Sequence, residues 1–323
     1  MDALGGLLDG VRARGAFVLR LSLDPPWSIR IQDDAPLTLI CMTLGDAVIV
    51  TASGDTHSLR AGDVALARGV EHYVFADAPK SLPQVLIHPG NRCTTLHGED
   101  LRFAMSVGVR TWGNADVGAH RGIVCAYEGR SEVSTRLLNA LPTVLVMRAD
   151  EWHTPLVELL NIEAGRDGPG QEAYLDRLLD LLLMDVLRAW FDRDDNAPTW
   201  WHAERDPMVG RALKLIYHNP EHPWTVANLA AAVGGSRALF ARRFTEQVGE
   251  PPIAFLTNWR LAMAADMLRS SSATIATIAR NVGYGTPFAL SSAFKRTYGV
   301  SPNAYRADAS GAAALGQAIT ASR

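Results

Sequence analysis

One sequence pattern occurs twice in the last third of the chain, and it constrains the fold more than any other feature. Each copy, residues 224–249 and residues 273–299, has a short amphipathic segment, a break at glycine, and a longer segment with basic and aromatic residues. Apolar residues recur at every fourth position of the longer segments, as Phe240, Phe244 and Val248 and as Leu290, Phe294 and Tyr298. This spacing indicates one face of an α-helix. Two helices around a glycine-containing turn predict a helix-turn-helix, here present in two copies.

Residue types at the ends of these segments support the same prediction. Thr225, Ser236 and Thr286 stand where helix N-caps belong, because a hydroxyl there accepts hydrogen bonds from unpaired backbone N–H groups. Pro287 occupies a first-turn position, which tolerates a missing N–H. We therefore expect helices to begin directly after the three hydroxyl residues.

The two copies, the connecting segment PPIAFLTNWRLAMAADMLRSS and the closing SPNAYR resemble the DNA-binding domain of AraC/XylS-type transcriptional regulators. The resemblance covers a third of the chain. Two spaced copies with a terminal Pro-x-x-Tyr-Arg make it highly specific, whereas a single helix-turn-helix pattern is weak evidence. It implies a sequence-specific transcription regulator that binds double-stranded DNA.

The distribution of charge agrees with this expectation. Residues 204–306 carry 12 Lys and Arg against 6 Asp and Glu, a balance of +6, whereas the first 203 residues carry 18 against 27, a balance of −9. A basic C-terminal part on an acidic body is typical of a nucleic-acid-binding module joined to a domain of another function.

The chain up to residue 129 is predicted to be rich in short strands. Apolar or alternating runs occur at Phe17–Leu23, Leu37–Leu44, Ala47–Thr51, Val64–Ala67, Tyr73–Phe75, Val85–His88, Phe103–Val109 and Ile123–Tyr127. Many short strands with closely spaced turns favour a barrel or sandwich over a parallel sheet. The segment HSLRAGDVALARGVEHYVF, with Gly62, Gly69 and His72, resembles part of a cupin barrel signature, and LPTVLVM resembles the exit from such a barrel.

The metal-binding part of the cupin pattern is missing from the sequence. Where metal-binding cupins carry two histidines and a glutamate, this chain reads LTLICMTLG, with Ile40 and Leu44 in the places of polar ligands. These side chains have no lone pairs to offer a metal. We therefore expect a binding pocket without metal or cofactor, and no catalytic residues. The alternative is a metal-dependent cupin enzyme fused to a DNA-binding domain.

Two helices are predicted between these halves, at Glu151–Glu163 and Gln171–Asp192. The second has a broad apolar face, which either packs within the chain or contacts a second copy; we expect a homodimer. DDNAPTWWHAERD is predicted to be a linker. The predicted organisation is α+β, with a cupin-like antiparallel β-barrel at 1–148, a helical dimerisation and linker segment at 149–203, an all-α domain with two helix-turn-helix motifs at 204–306, and a flexible tail at 307–323.

A recognition helix keeps its apolar stripe on its own domain and turns the opposite side to the major groove. With Phe240 and Phe244 inward, Arg242 faces outward and is expected to pair with guanine, a contact worth about 1–3 kcal/mol of discrimination. Arg243 lies beside the apolar stripe, so we expect it to be solvated or to touch phosphate. The candidate DNA-contacting residues of the first copy are Ser236, Arg237, Ala238, Ala241, Arg242 and Arg243.

The corresponding residues of the second copy are Thr286, Phe288, Ser291, Ser292, Lys295 and Arg296. Ser292 stands where proteins of the resembling family typically have arginine, and serine is shorter and uncharged. We therefore expect this helix to contribute phosphate contacts through Thr286, Lys295 and Arg296 more than base contacts. Phe288 either presses on a thymine methyl group or packs back against Tyr284.

His72, Cys93 and Cys125 are the candidate ligand-binding residues of the barrel. Two thiols that face one pocket would trap an electrophile, form a reversible disulfide, or join His72 in holding a soft metal. The alternative is that both cysteines are small buried apolar residues.

The remaining expectations concern compartment and partners. Three cysteines give no disulfide framework, which favours a reducing cytoplasm. Residues 1–15 lack the apolar stretch of a signal peptide, and no run of about eighteen apolar residues would span a membrane. The expected partners are double-stranded DNA, a small-molecule effector, a second copy of the chain and RNA polymerase.

Overall fold

The computed structural model describes residues 17–69, 71–127, 131–193 and 197–308. As far as they are described, residues 12–130 and 138–190 form one compact unit, and residues 131–137 and 191–323 form another. The predictions for the first fifteen residues and for most of the tail lie outside the described residues.

The first unit consists mainly of short strands. They are β1 (Phe17–Leu23), β2 (Ser28–Ile31), β3 (Leu37–Leu44), β4 (Ala47–Thr51), β5 (Thr56–Leu59), β6 (Val64–Arg68), β7 (Tyr73–Ala76), β8 (Val85–His88), β9 (Arg92–Thr95), β10 (Ser106–Gly108), β11 (Thr111–Trp112), β12 (His120–Tyr127) and β13 (Val144–Met147). One sheet has the order β10-β11-β1-β12-β3-β6-β13 and the other β5-β4-β7-β2-β8-β9. Neighbouring strands are antiparallel except for the β1–β11 and β2–β8 pairs.

One buried cluster of this unit takes side chains from one face of each sheet, and Leu39 and Cys41 on the other face of β3 are buried as well. Side chains alternate along a strand, so β3 turns Ile40 and Met42 into a buried cluster that also contains Trp27, Phe75 and Trp112. The predicted α+β class with a β-rich N-terminal region is confirmed.

Most of the predicted strands coincide with observed ones, and the differences have a local cause. The predicted segment Phe103–Val109 is a strand only at Ser106–Gly108, because a turn precedes it. Strands β2, β5, β9 and β11 were not predicted. They have only two to four residues, and β2 pairs with β7 and β8, which are distant in sequence.

Three helices flank the end of the barrel sequence: α1 (Glu132–Asn139), α2 (Leu156–Ala164) and α3 (Gln171–Phe191). Helix α1 was not predicted, and α2 begins later than predicted, with Pro155 at its N-cap. Most of the apolar face of α3 is buried within the chain, including Leu179 and Leu182. Tyr174 and Leu181 on the same helix remain 47% and 51% exposed.

The second unit contains the helices α4 (Thr199–Ala203), α5 (Val209–His218), α6 (Val226–Ala232), α7 (Arg237–Val248), α8 (Pro252–Ser270), α9 (Ile275–Asn281) and α10 (Pro287–Tyr298), and residues 302–308 are also helical. The pairs α6–α7 and α9–α10 are the two predicted helix-turn-helix motifs, and α8 joins them.

The prediction of a linker at DDNAPTWWHAERD is wrong for its central part. Residues Thr199–Ala203 form α4, which contacts α7. Trp200 is buried, and its ring lies edge-on to Phe191 at 5.6 Å between centroids. The apolar area of the tryptophan therefore holds this segment on the second unit.

Candidate nucleic-acid interface and effector cavity

The first helix-turn-helix is held by its caps. Thr225 and Asn228 form a reciprocal capping box at the start of α6, and the Ser236 hydroxyl accepts the Leu239 N–H at 3.3 Å at the start of α7. Gly234 in the turn has φ +76°, and Gly249, which ends α7, has φ +87°. Both lie in the left-handed region that side chains disfavour, so glycine fits these positions. The predicted caps Thr225 and Ser236 are confirmed.

The second helix-turn-helix repeats this construction. The Thr286 hydroxyl accepts the Ala289 N–H at 3.1 Å, Pro287 lies in the first turn, and Gly299 ends α10 with φ +77°. Thr274 caps α9 in the same way and was not predicted. Gly283 in the turn has φ +82°. The cap at Thr286 is therefore confirmed as well.

Gly283 also packs tightly against the first half of the unit. A Cβ atom at this position would lie 2.8 Å from the backbone of Glu221 and 2.7 Å from the Arg260 guanidinium. Arg260 projects from α8 and donates hydrogen bonds to the carbonyls of Pro220 and His222, at 2.6 and 2.7 Å. The turn of the second motif, the connecting helix and the loop before the first motif therefore meet at one joint.

The outward face of α7 presents the predicted DNA-contacting residues. Arg237 and Ala238 are exposed, Ser236 is exposed at the cap, and Ala241 is partly exposed. The Arg242 side chain is 71% exposed, with Glu246 one turn away at 3.8 Å. An exposed pair of this kind contributes little to stability, so the Arg242 guanidinium can exchange it for a base.

Arg243 is placed differently from its neighbour. Its Nε donates to Asp206 Oδ2 at 2.6 Å, and Asp206 also accepts the N–H groups of Met208 and Val209 at the start of α5. Burial acts to raise the pKa of Asp206, but these N–H groups and the guanidinium outweigh it, so the pKa lies below its usual value. Arg243 is therefore already engaged in an intramolecular ion pair with Asp206.

The outward face of α10 has a different chemical character. Phe288 is 80% exposed, so it does not pack back against Tyr284. Ser292, Lys295 and Arg296 are exposed, and Ser291 is partly exposed. This face offers an aromatic ring at its start and two cations near its end.

The closing Pro-x-x-Tyr-Arg motif has a structural role in the second unit. Tyr305 Oη donates to Glu132 Oε1 at 2.7 Å, and its ring lies 4.7 Å from the Arg269 guanidinium. Arg306 donates to the Ala273 carbonyl at 2.5 Å, next to the start of α9. The motif thus fastens the C-terminal helix to α1, to α8 and to the second helix-turn-helix. No sequence signal pointed to Glu132 as its partner.

The barrel unit contains a cavity in which the centres of water-sized molecules can occupy about 60 Å³. Its wall comes from both sheets and is mostly aliphatic and aromatic, including Leu19, Ile31, Ile40, Phe75 and Trp112. Sequence analysis did not assign these residues to a pocket. The alternation in FVLRLSL, whose first, third and fifth residues line the cavity, was a signal that could have indicated them.

The three predicted ligand-binding residues do not meet in this cavity. Cys93 lines it, but Cys125 does not, because its neighbours Val124 and Ala126 take the inward positions of β12 and side chains alternate. The His72 side chain is 61% exposed and lies 3.9 Å from Asp34. The prediction that two thiols and His72 face one pocket is therefore wrong.

The cysteines are also poorly suited to reaction as thiolates. Burial raises the pKa of Cys93 to about 11, with a further increase from Asp100 and an opposing effect of Arg102. Burial raises the pKa of Cys125 well above its usual value. Only a small fraction of either thiol ionises at neutral pH, which favours the alternative that both are small buried apolar residues.

The described residues contain no group of three or more His, Cys, Asp or Glu side chains that could hold a metal ion. Of the two positions compared with metal-binding cupins, Ile40 is buried at the cavity and Leu44 is 43% exposed. Within the described ranges, no helix has both the length and the apolar character needed to cross a membrane.

Comparison with known proteins gives matches over both units. The Cupin family matches residues 2–192, and a helix-turn-helix domain family matches residues 229–308. The HTH-type transcriptional regulator AlkR of Acinetobacter baylyi is 29% identical, over 95% of this chain and 99% of its own length. The HTH-type transcriptional regulator MtrA of Neisseria gonorrhoeae is 30% identical, over 95% of this chain and 98% of its own length.

Among solved structures, a transcriptional regulator with an AraC-type DNA-binding domain from Chromobacterium violaceum is 27% identical. The match covers 33% of this chain and 96% of the chain in that structure, with a TM-score of 0.31.

A cupin effector domain followed by two capped helix-turn-helix motifs defines a DNA-binding transcription regulator, and the full-length relatives are regulators rather than enzymes. The chain belongs to the AraC family of transcriptional regulators.

Proposed function

We propose that this regulator reads its operator mainly through α7 and holds itself on the DNA backbone mainly through α10. The observation that carries the proposal is the contrast between Arg242 and Arg243. Arg242 is exposed on the outward face, whereas Arg243 is engaged with Asp206. A guanidinium without a buried partner is available for bidentate pairing with guanine. On α10, Ser292 is too short for this contact, and Lys295 and Arg296 supply charge for phosphates.

The two recognition helices address successive major grooves on one face of the DNA. Helix α8 has 19 residues and is therefore about 28 Å long. Together with the joint at Gly283, Glu221 and Arg260, it forms a stiff connection between the motifs. One helical turn of DNA separates successive major grooves by about 34 Å.

The cavity of the barrel unit is the effector site, and its occupant changes the affinity of the regulator for DNA. The regulator acts in the cytoplasm, where its operator lies, and contacts RNA polymerase at the promoter. It binds DNA as a homodimer through α3, on which Tyr174 and Leu181 are exposed. These two residues are seven positions apart and hence lie on one helix face.

The experiment starts by selecting binding sites for the full chain from a pool of random-sequence duplexes. Affinities for a selected duplex and for a random duplex are then measured for Arg242→Ala, Lys295→Ala and, as a matched control for charge, Arg243→Ala. Arg242→Ala is expected to lower the specific affinity by about 10–100-fold and the nonspecific affinity much less.

Lys295→Ala is expected to weaken both affinities alike and to lower the salt slope by about one unit. Arg243→Ala is expected to retain the ratio of specific to nonspecific affinity. An unchanged ratio in Arg242→Ala would mean that α7 does not read bases through this side chain.

A further inference from the structure

We infer that the barrel unit has a second binding site, which takes a small oxyanion with a phosphate or carboxylate group and holds it between the guanidiniums of Arg20 and Arg121. The site is a polar pocket beside α2, on the outer face of the sheet that contains β1, β12 and β3. It is separate from the apolar cavity and does not depend on the proposed use of that cavity.

Strand alternation places both guanidiniums on this outer face. Leu19 lines the cavity, so its neighbour Arg20 points to the opposite face of β1. In the register of β1 with β12, Arg20 lies opposite Ile123, two residues beyond Arg121. Arg20 and Arg121 are therefore diagonal neighbours on one face, about 7–8 Å apart at the backbone. Both side chains line the pocket.

Helix α2 forms one side of the pocket. It packs on β1, and at its C-cap a Cβ atom on Gly165 would lie 2.7 Å from Nη1 of Arg20. Glycine thus leaves room for the guanidinium, and Arg20 is only partly exposed. The centres of water-sized molecules can occupy about 260 Å³ in the pocket, against about 60 Å³ in the barrel cavity. This space admits an ion of the size of phosphate or acetate.

The polar side chains around this space have few partners in the chain. Those of Arg20, Thr43 and Asn161 have no hydrogen bond or ion pair among the described residues. Arg121 uses only its Nε, which donates to the Gly118 carbonyl at 3.1 Å. Guanidinium, hydroxyl and amide donors therefore converge from two neighbouring strands, a third strand and a helix. An oxyanion can accept hydrogen bonds from several of them at once.

The charge of the pocket also favours an anion. Its lining has two guanidiniums and one carboxylate, Asp116, which forms no ion pair with either of them. Two cations in a partly enclosed site repel each other and lose part of their hydration. A bound oxyanion offsets both effects, and the planar guanidinium matches a pair of its oxygens. A cation would add to the repulsion, and an uncharged molecule would not relieve it.

The test measures binding of small probes to the full chain by isothermal titration calorimetry, with sodium chloride holding the ionic strength constant. The probes are inorganic phosphate, sulfate and acetate, and acetamide is the uncharged match of acetate. At least one oxyanion is expected to bind more tightly than acetamide. Tighter binding of phosphate and sulfate would assign a phosphate-type ligand, whereas tighter binding of acetate would assign a carboxylate.

Variants assign the binding to the pocket, because α7 and α10 also carry exposed cations. Arg20→Gln and Arg121→Gln should each lower the affinity about tenfold or more, which is the effect of one charge-assisted hydrogen bond. Arg20→Lys keeps the charge without the planar fork, so its affinity should lie between those of Arg20→Gln and the unchanged protein. Arg30 is an exposed strand arginine of the same unit outside the pocket, and Arg30→Gln should leave the affinity unchanged.

Asp116→Asn tests the same charges through an expected gain, which loss of folding would not produce. Asp116 is exposed, and removing its like charge should tighten oxyanion binding about two- to fivefold. The inference is overturned if no oxyanion binds more tightly than acetamide, or if Arg20→Gln or Arg121→Gln retains the affinity of the unchanged protein. It is also overturned if Arg30→Gln loses as much affinity as they do, or if Asp116→Asn shows no gain.

Discussion

The joint between the two helix-turn-helix motifs can be tested by substituting alanine for two glycines that differ in one respect. Gly283 and Gly234 occupy the same place in the second and first turn, with φ of +82° and +76°. A Cβ at Gly234 meets nothing within 4 Å, whereas a Cβ at Gly283 would lie 2.8 Å from the Glu221 backbone. Both substitutions add left-handed strain, but only Gly283→Ala also pushes the two halves of the unit apart.

The expected magnitudes follow from this difference. Left-handed backbone costs a non-glycine residue about 1–2 kcal/mol, which is the whole effect expected for Gly234→Ala. Gly283→Ala adds an overlap with backbone atoms, and forcing extra atoms into packed structure costs about 1–3 kcal/mol more. It should also lower specific DNA affinity more than Gly234→Ala does, because a shifted joint changes the distance between the two recognition helices.

Hydrogen exchange of the full chain, read for peptides from α9 and α10 and from α6 and α7, measures the opening free energies. DNA affinity is measured with a duplex selected by the unchanged protein. Equal losses of protection in the two variants would refute the account of the joint. So would a Gly283→Ala variant with unchanged specific affinity.

Four further results are expected. Footprinting should show two adjacent major grooves protected per DNA-binding unit; a single protected groove would contradict the stiff connection through α8. Arg243→Ala should lower stability by about 1–2 kcal/mol at pH 7. The pKa of Asp206 is depressed in the folded protein, so the difference in unfolding free energy between the unchanged protein and the variant should have its full size above the unfolded pKa of about 4. The difference should become smaller as the pH falls below that value, as acid unfolding of both proteins would measure. In the proposed homodimer, replacing both Tyr174 and Leu181 by Glu should give a monomer in sedimentation, whereas a variant that remains a dimer would place the interface elsewhere. Cys93 should resist alkylation at pH 7 and react as the pH approaches 11, as mass spectrometry would show.

The C-terminal half was predicted well because its information is local. The spacing of Phe240 and Phe244, the hydroxyl caps and the turn glycines all act within a dozen residues of each other. The two motifs and the confirmed caps could therefore be assigned from the order of residues alone. Most barrel strands were found from their apolar runs, including the four-residue β8. The missed strands β2, β5, β9 and β11 have four residues or fewer, and β2 pairs with β7 and β8, which are distant in sequence.

The functional residues show the limit of the same reasoning. Cys93, Cys125 and His72 were grouped because their residue types suit one chemistry, but the phase of β12 turns Cys125 to the opposite face from the cavity. Which face of the sheet a side chain takes depends on the register of its strand with the neighbouring strands, and the residue type alone does not predict this.

The sequence by itself determined that this chain carries two helix-turn-helix motifs after a strand-rich barrel, because periodicity and capping residues specify helices and turns locally. Only the tertiary structure decided which arginine is available to DNA and how the two motifs are joined. Arg243 is engaged because Asp206, 37 residues earlier, comes to lie beside it. The joint exists because the loop at Glu221 packs against Gly283. Such contacts form between segments far apart in the chain, and their free energy depends on distances that appear only when the chain is folded.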